Sequence, residues 1–307
     1  MTELNDDAAM GFVGVSTGQS SIREVFPAWA RVLGLPSDRL VGFDLPVGAT
    51  REQYRETIGA IRDDPGLRGA LITTHKIGVH DAAADMFAEL DEFATRCGEI
   101  SSVSKRGSAL VGHAKDPITA GLSLEEFLAP DHFATTGADL LCLGAGGAGT
   151  AIAWYLAGRA DRPRRIVCTD TDPRRLSELV EVLRRGGLDT GNVVTAVADG
   201  PADELVAACP PGSLVVNATG LGKDRPGSPV SDAVRWPDRA VVWELNYRGS
   251  LEFLGQARAG EAAAGLTVVD GWRYFIHGWS QVIAEVFDLE LDEGTVGRLA
   301  AAAEAVR

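Results

Sequence analysis

The chain has 307 residues, 45% hydrophobic and 23% charged, which suits two domains with separate cores and argues against long disordered tracts. The net charge of −14 speaks against a nucleic-acid partner and against an anionic membrane surface, since both select basic faces. No apolar run is long enough to span a bilayer and no signal peptide is evident, so the expectation is a cytoplasmic monomer or homodimer whose partner is a small-molecule substrate.

In chain order, residues 1–10 read as a frayed terminus, and Gly11–Val15 as a short buried strand. Arg23–Leu33 places Val25, Phe26, Trp29 and Leu33 on one helical face. Leu40–Leu45 is strand-like. Thr50–Ile61 is an amphipathic helix, with Thr50 as N-cap and Gln53 completing a capping box. Gly69–Thr73 is a second buried strand and His80–Leu90 a further helix. Val103 and Leu110-Val111 flank a Lys105-Arg106-Gly107 turn and predict a hairpin. This alternation implies an α/β domain with a largely parallel sheet and an antiparallel element near its end. Leu122–Leu128 is a short connecting helix.

From Asp139 onward the pattern changes to a doubly wound one. Strands are expected at Leu140–Leu143, Arg165–Thr169, Asn192–Val197, Leu214–Asn217 and Val241–Leu245. Helices are expected at Thr150–Leu156 and Leu176–Arg185, which gives a Rossmann-type parallel sheet. Tyr274–Phe287 and Gly294–Val306 are the closing helices. The expected division is a substrate domain over 1–117, a dinucleotide domain over 118–271, and C-terminal helices over 272–307. Cys97, Cys142, Cys168 and Cys209 lie too far apart to suggest a metal knuckle, and no metal site is expected.

Gly144, Gly146 and Gly149 satisfy G-x-G-x-x-G between an apolar strand and a helix, with Asp170 at the end of the next strand. The free N–H groups at the helix start, around Gly147 and Ala148, suit a pyrophosphate. Asp170 can accept both ribose hydroxyls, which favours NAD over NADP, whereas Arg174 and Arg175 are placed to hold a 2′-phosphate. Asp172 and Pro173 also read as a helix cap. Asn217-Ala218-Thr219-Gly220 falls at the carboxyl edge of the sheet, where cofactors bind, although a plain turn fits each residue nearly as well.

Only four lysines occur, at 76, 105, 115 and 223. Lys76 follows the strand Gly69–Thr73. A lysine at the mouth of a sheet can exchange a proton when its surroundings move its pKa, which an arginine cannot do. An exposed loop lysine is an equally good account of that residue alone. Asp116 precedes Pro117, and on spacing alone a helix N-cap is its better account.

Together these features resemble the shikimate dehydrogenase family over almost the whole chain. Gly11–Ser21 looks like its Gly-x-Pro-x-x-His-Ser segment and Gly69–Lys76 like its Asn-Val-Thr-x-Pro-x-Lys strand. Gly98-Glu-Ile-Ser-Ser-Val103 is similar to Gly-Ala-x-Asn-Thr-Val, and Gly112–Asp116 to Gly-x-Asn-Thr-Asp. Asn217–Gly222 matches Asn-Ala-Thr-Pro-x-Gly, Glu244–Tyr247 resembles Asp-x-x-Tyr, and Asp270-Gly271 the Asn-Gly before the last helices. The resemblance implies that Lys76 and Asp116 are the catalytic pair of an alcohol dehydrogenase acting on a cyclic hydroxy acid such as shikimate or quinate. It further implies that Ser20, Thr73, Ser101, Tyr247 and Gln281 face substrate, that Gly271 lies by the cofactor, and that the C-terminal helices over 272–307 pack back on the first domain.

Several positions depart from the family pattern. Its second serine falls on Ile22, its Asn, Thr and Asn on Ala70, Ile72 and Ser101, and its last-helix Gln on Gly278. Such losses point toward a less hydroxylated substrate, because an apolar site leaves ring hydroxyls unpaired. Trp272, Tyr274, His277 and Trp279 suggest an aromatic pocket or, equally, core packing. His75 and His113 neighbour the catalytic positions and are candidates to replace a lost hydrogen bond. A dinucleotide-binding regulatory module without catalysis is the alternative from another class, and it would need neither Lys76 nor Asp116.

Overall fold

A computed structural model describes residues 8–223 and 225–306. The chain divides into two compact units, Met1–Asp116 with Ile276–Arg307, and Pro117–Phe275.

The first unit runs β1 (Ala9–Gly14), α1 (Ile22–Leu33), β2 (Leu40–Asp44), α2 (Arg51–Asp63), β3 (Leu67–Ile72), α3 (Lys76–Ala83), β4 (Glu89–Leu90), α4 (Glu92–Cys97), β5 (Ser102–Arg106) and β6 (Ala109–His113). Its strands lie in the order β2-β1-β3-β5-β6-β4. β1 pairs in parallel with β2 and β3, while β5 runs antiparallel to β3 and forms an antiparallel hairpin with β6. The capping box forms as expected: Gln53 N–H donates to Thr50 Oγ1, and Thr50 N–H donates to the Gln53 side chain. Residues 1–7 of the expected frayed terminus lie outside the described residues. Ala8, Ala9 and Met10 are buried, because β1 begins two residues earlier than the Gly11 start expected.

The helix expected at His80–Leu90 is displaced. It starts at Lys76 and ends at Ala83, and Leu90 falls in β4 beside β6. No side chain caps its start, so the sequence offers no marker there.

The second unit contains α5 (Asp116–Glu125), α6 (His132–Thr136), β7 (Leu140–Leu143), α7 (Gly147–Gly158), β8 (Ile166–Asp170), α8 (Pro173–Arg185), β9 (Val193–Val197), α9 (Asp203–Ala207), β10 (Leu214–Asn217), β11 (Val241–Glu244), α10 (Glu252–Ala264) and β12 (Thr267–Val269). Its strands lie in the order β12-β11-β10-β7-β8-β9, all parallel, which is the doubly wound arrangement. β7 and β10 are buried along their whole length, and this is why their sequences are runs of Leu and Val rather than alternating.

Helix α11 (Trp272–Phe287) contains the division between the units, and α12 (Glu293–Glu304) follows. Within the first unit α12 packs on α1, where the buried Trp29 indole donates to the carbonyl of Leu299 at 2.7 Å. Trp272, His277 and Trp279 are buried, Trp279 edge-on to Phe12 at 4.9 Å and Trp272 stacked on Phe275 at 5.0 Å. Tyr274 packs edge-on to Trp243. Trp272, His277 and Trp279 therefore pack in the interior, whereas Tyr274 is only half-buried. No helix among the described residues is long and apolar enough to cross a membrane.

Candidate active site

In the first unit, Lys76 and Asp116 meet. Lys76 is the first residue of α3, and its Nζ donates to Asp116 Oδ2. Asp116 is carried in by the end of the β5–β6 hairpin. There Ser101 N–H bonds His113 O at 2.9 Å, Lys115 N–H bonds Ser101 Oγ at 2.7 Å, and Ala114 N–H bonds Asp91 Oδ1 at 3.2 Å. Ile100 N–H bonds the carbonyl of Lys76 at 3.1 Å, which ties the hairpin approach to the start of α3. The Lys76 side chain is 22% exposed and that of Asp116 is 8% exposed, so the pair is shielded but the lysine still reaches solvent. Burial opposes the Lys76 charge, but the carboxyls of Asp116 and Glu99 outweigh it and hold the ammonium above the ordinary lysine range. The resting lysine therefore carries its proton.

Glu99 is a member of this cluster that sequence reasoning missed. It is 3% exposed, and its Oε1 is buried with no hydrogen-bond partner. Burial, with the nearby Asp116, pushes its carboxyl up to about 8. The signal was available: an acid stands between Gly98 and Ile100 where the resembled family carries alanine.

The other expected substrate positions in this unit each have their own surroundings. Thr73 Oγ1 donates to Val13 O at 3.1 Å, and Ser20 is buried just before α1. Ser101 Oγ accepts from Lys115 N–H, so its hydroxyl orders the backbone just before Asp116. Gln281 is half-buried on α11. Ala70 and Ile72 are fully buried members of the β1–β3 core cluster and bring no polar group.

Both histidines are committed elsewhere. His75 lies 3.0 Å from the Tyr54 hydroxyl through Nδ1 and 3.0 Å from Leu45 O through Nε2, and burial lowers its pKa. His75 is thus a neutral core residue. His113 sits 3.1 Å from Glu285, which also accepts from Lys115 Nζ at 2.7 Å.

The second unit builds the glycine-rich loop. Gly144 has φ +107°, and a Cβ there would lie 2.6 Å from the carbonyl oxygen of Ala218, so only glycine allows β7 to turn against the β10 loop. A Cβ on Gly149 would overlap the carbonyl oxygen of Gly144, which is the close helix–strand packing that the third glycine permits. Gly146 caps α7, and the N–H groups of the first turn, at Gly147, Ala148 and Gly149, have no carbonyl of their own helix to bond. Asp170 Oδ2 accepts from Ala145 N–H at 2.9 Å and its Oδ1 from Asp172 N–H at 3.0 Å, so this carboxylate holds the loop from the end of β8. Arg174 is bound to Asp172 at 3.1 and 2.9 Å, whereas a Cβ on Gly146 would stand 3.4 Å from Arg175 Nη1.

Asn217 is fully buried. Its Nδ2 donates to Glu244 Oε2 at 2.8 Å and its Oδ1 accepts from Thr219 N–H at 3.1 Å, which folds the Ala218-Thr219 turn. Ala218 N–H bonds Leu143 O at 2.7 Å, close to the glycine-rich loop. Tyr247 packs on Phe275 at 4.5 Å with Lys223 Nζ over its ring. A Cβ on Gly271 would overlap the carbonyl oxygen of Leu245. Among the described residues no group of three or more His, Cys, Asp or Glu is arranged to hold a metal ion.

No protein-family model matches the chain. A shikimate dehydrogenase (NADP(+)) of Symbiobacterium thermophilum is 31% identical over 76% of this chain and 74% of its own. Among solved structures, a chorismate mutase/shikimate 5-dehydrogenase fusion protein from Clostridium acetobutylicum has a TM-score of 0.72 at 21% identity, covering 97% of both chains. A quinate dehydrogenase from Corynebacterium glutamicum, in complex with NAD, has a TM-score of 0.70 at 24% identity, covering 97% of this chain and 99% of that one. The two structures share the fold, and the identity and coverage of the Symbiobacterium relative place the sequence: the chain belongs to the shikimate dehydrogenase family.

Proposed function

We propose that the chain is a nicotinamide-dinucleotide-dependent dehydrogenase that interconverts a secondary alcohol and a ketone on a cyclic hydroxy acid of the shikimate or quinate type. The observation that carries this is the shielded Lys76–Asp116 ion pair, in a chain that also has a loop only glycines could close. The residues fit a dinucleotide: the cradle at Gly144 and Gly149 and the unbonded first-turn amides of α7 suit a pyrophosphate. Gly144, Gly146, Gly147 and Ala148 would hold it, with Asp170 and Arg175 toward the adenosine ribose, and Asn217, Ala218, Thr219 and Gly271 shaping the remaining rim. Asp170 supports NAD over NADP, although Arg175 offers a phosphate partner. When bound, the dinucleotide gives or takes the hydride.

Lys76 holds or releases the proton at the substrate oxygen. With its proton in place it is a donor to a carbonyl, and it must lose that proton before it can accept one from an alcohol. Asp116 aims the ammonium and accepts a substrate hydroxyl. Ser20, Thr73, Ser101, Tyr247 and Gln281 are the proposed substrate contacts. A second reading, a less hydroxylated cyclic substrate, is favoured by one observation: Ala70 and Ile72 are apolar and wholly in the core.

The test is turnover of shikimate, quinate and a panel of less hydroxylated cyclic alcohols and ketones, each with NAD(H) and NADP(H). Lys76→Ala is expected to lower kcat by about 10²–10⁴ with dinucleotide binding intact. Activity of Lys76→Ala near the parent's would sink the proton-transfer role.

A further inference from the structure

Glu99 is a glutamate where the resembled family segment has alanine, and it is placed where a charge is costly. Gly98, at φ +65°, ends α4 and turns the chain inward. The next peptide is fastened by Ile100 N–H to the carbonyl of Lys76. The side chain is thereby held within the electrostatic reach of Lys76 on α3, Asp116 on α5 and Asp91 at the cap of α4. Asp91 has His113 of β6 at 3.6 Å, and the His80 ring of α3 borders Gly98. Two carboxylates, Asp116 and Asp91, and one ammonium, Lys76, act on Glu99, and Oε1 has no hydrogen bond to keep it ionised.

We propose that Glu99 is a proton-holding positioning residue for the Lys76–Asp116 pair. As a carboxylic acid it leaves the pair neutral overall, and as a carboxylate it fastens the proton on Lys76. The step is a simple ionisation: the Glu99 O–H proton leaves for bulk water, the electron pair stays on the carboxylate, and no other bond changes. Burial, with the nearby Asp116, pushes its ionisation up to about 8. As the pH rises, Glu99 ionises before Lys76 does, and the added charge delays the loss of the lysine proton. Glu99 thus extends the range in which Lys76 can donate to a carbonyl and moves alcohol oxidation to higher pH. This rests on the reading of Lys76 and Asp116 as the reacting pair.

The test needs no turnover. With four lysines in the chain, NMR of protein labelled at lysine Cε and Nζ resolves them singly, and Lys76→Arg identifies the Lys76 signal. In the parent, that signal is expected to show a first inflection near pH 8 as Glu99 ionises, and its own titration above that. In Glu99→Gln and Glu99→Ala the first inflection disappears and the Lys76 midpoint falls by about one pH unit or more. A single-step Lys76 titration in the parent overturns the proposal, whether or not the variants fold. So does an unchanged midpoint in either folded variant. Both NMR effects without any lysine-dependent turnover would support the cluster while sinking its catalytic reading. Lysine-dependent turnover with a single-step titration would do the reverse.

Discussion

Among the described residues each unit buries one glutamate, and the two are treated differently. Glu244, at the end of β11, has both oxygens bonded: Oε2 accepts from Asn217 and Oε1 from Asn246 N–H, each at 2.8 Å. Burial pushes it up to about 7, with those bonds pulling the other way. Glu99 has no such partner for Oε1 and stands among charges instead. A buried carboxyl whose oxygens are all bonded fixes geometry, because removing it leaves its donors stranded. A buried carboxyl with an oxygen unbonded lowers stability, and its presence is understandable where it acts on a neighbouring charge.

This contrast gives predictions of opposite sign. Glu244→Ala strands the Asn217 amide and the Asn246 N–H in the interior, and is expected to cost about 3 kcal/mol, or roughly 6–12 °C in Tm. A Tm within two degrees of the parent, taken as about the noise of such a comparison, would show that the bracket is idle. Glu99→Gln is expected to stabilise, and to do so more as the pH rises. Folded Glu99 keeps its proton between pH 4.5 and about 8, where an unfolded glutamate has lost it, so the parent loses stability as the pH climbs through that window. The advantage of the variant should be near zero at the lower end and grow by about 1.4 kcal/mol per pH unit, to roughly 5 kcal/mol above the upper end. Denaturant titrations at pH 5 and 8.5, about the two ends of that window, decide this, and a pH-independent difference would remove the buried proton from the account. Asp170 extends the comparison to a carboxylate that is bonded yet half-exposed. Asp170→Ala should narrow the NAD-over-NADP preference by roughly tenfold, about 1.4 kcal/mol, read from affinities for the two dinucleotides. Unchanged affinities for both would sink its ribose role.

The fold was legible where local chemistry is strong. The Thr50 and Gln53 cap, the glycine-rich loop after an apolar strand, and the Lys105-Arg106-Gly107 hairpin each carry their own instruction in neighbouring residues. The order βαβα was enough to specify a parallel sheet. Helix α3 was misplaced because His75 caps it with no side-chain bond, so nothing in the sequence marks Lys76 as a first turn. Helix α10 was not foreseen because its Ala- and Gly-containing stretch lacks a broad apolar stripe, and only Phe253, Leu254 and Ala257 are buried. At the site, Lys76 and Asp116 were found through the family resemblance rather than through spacing. Glu99 escaped because a single acid after glycine reads as a solvated turn, and its burial arises only when α3 and the end of the β5–β6 hairpin close over it. The aromatic residues of α11 left two readings open in the sequence, pocket or core, and Trp272, His277 and Trp279 are buried in the structure.

The bond from Trp29 to the carbonyl of Leu299 has a consequence for the order of assembly. The first unit is discontinuous, and the helix that covers Trp29 is made only after every strand of the second unit. The second unit is encoded in one stretch and has all its strands before α12 is made. Biosynthesis therefore lets the parallel sheet of the second unit mature first, while α1 waits with an uncovered indole for α12, a reversal of the usual amino-to-carboxyl sequence of domain folding.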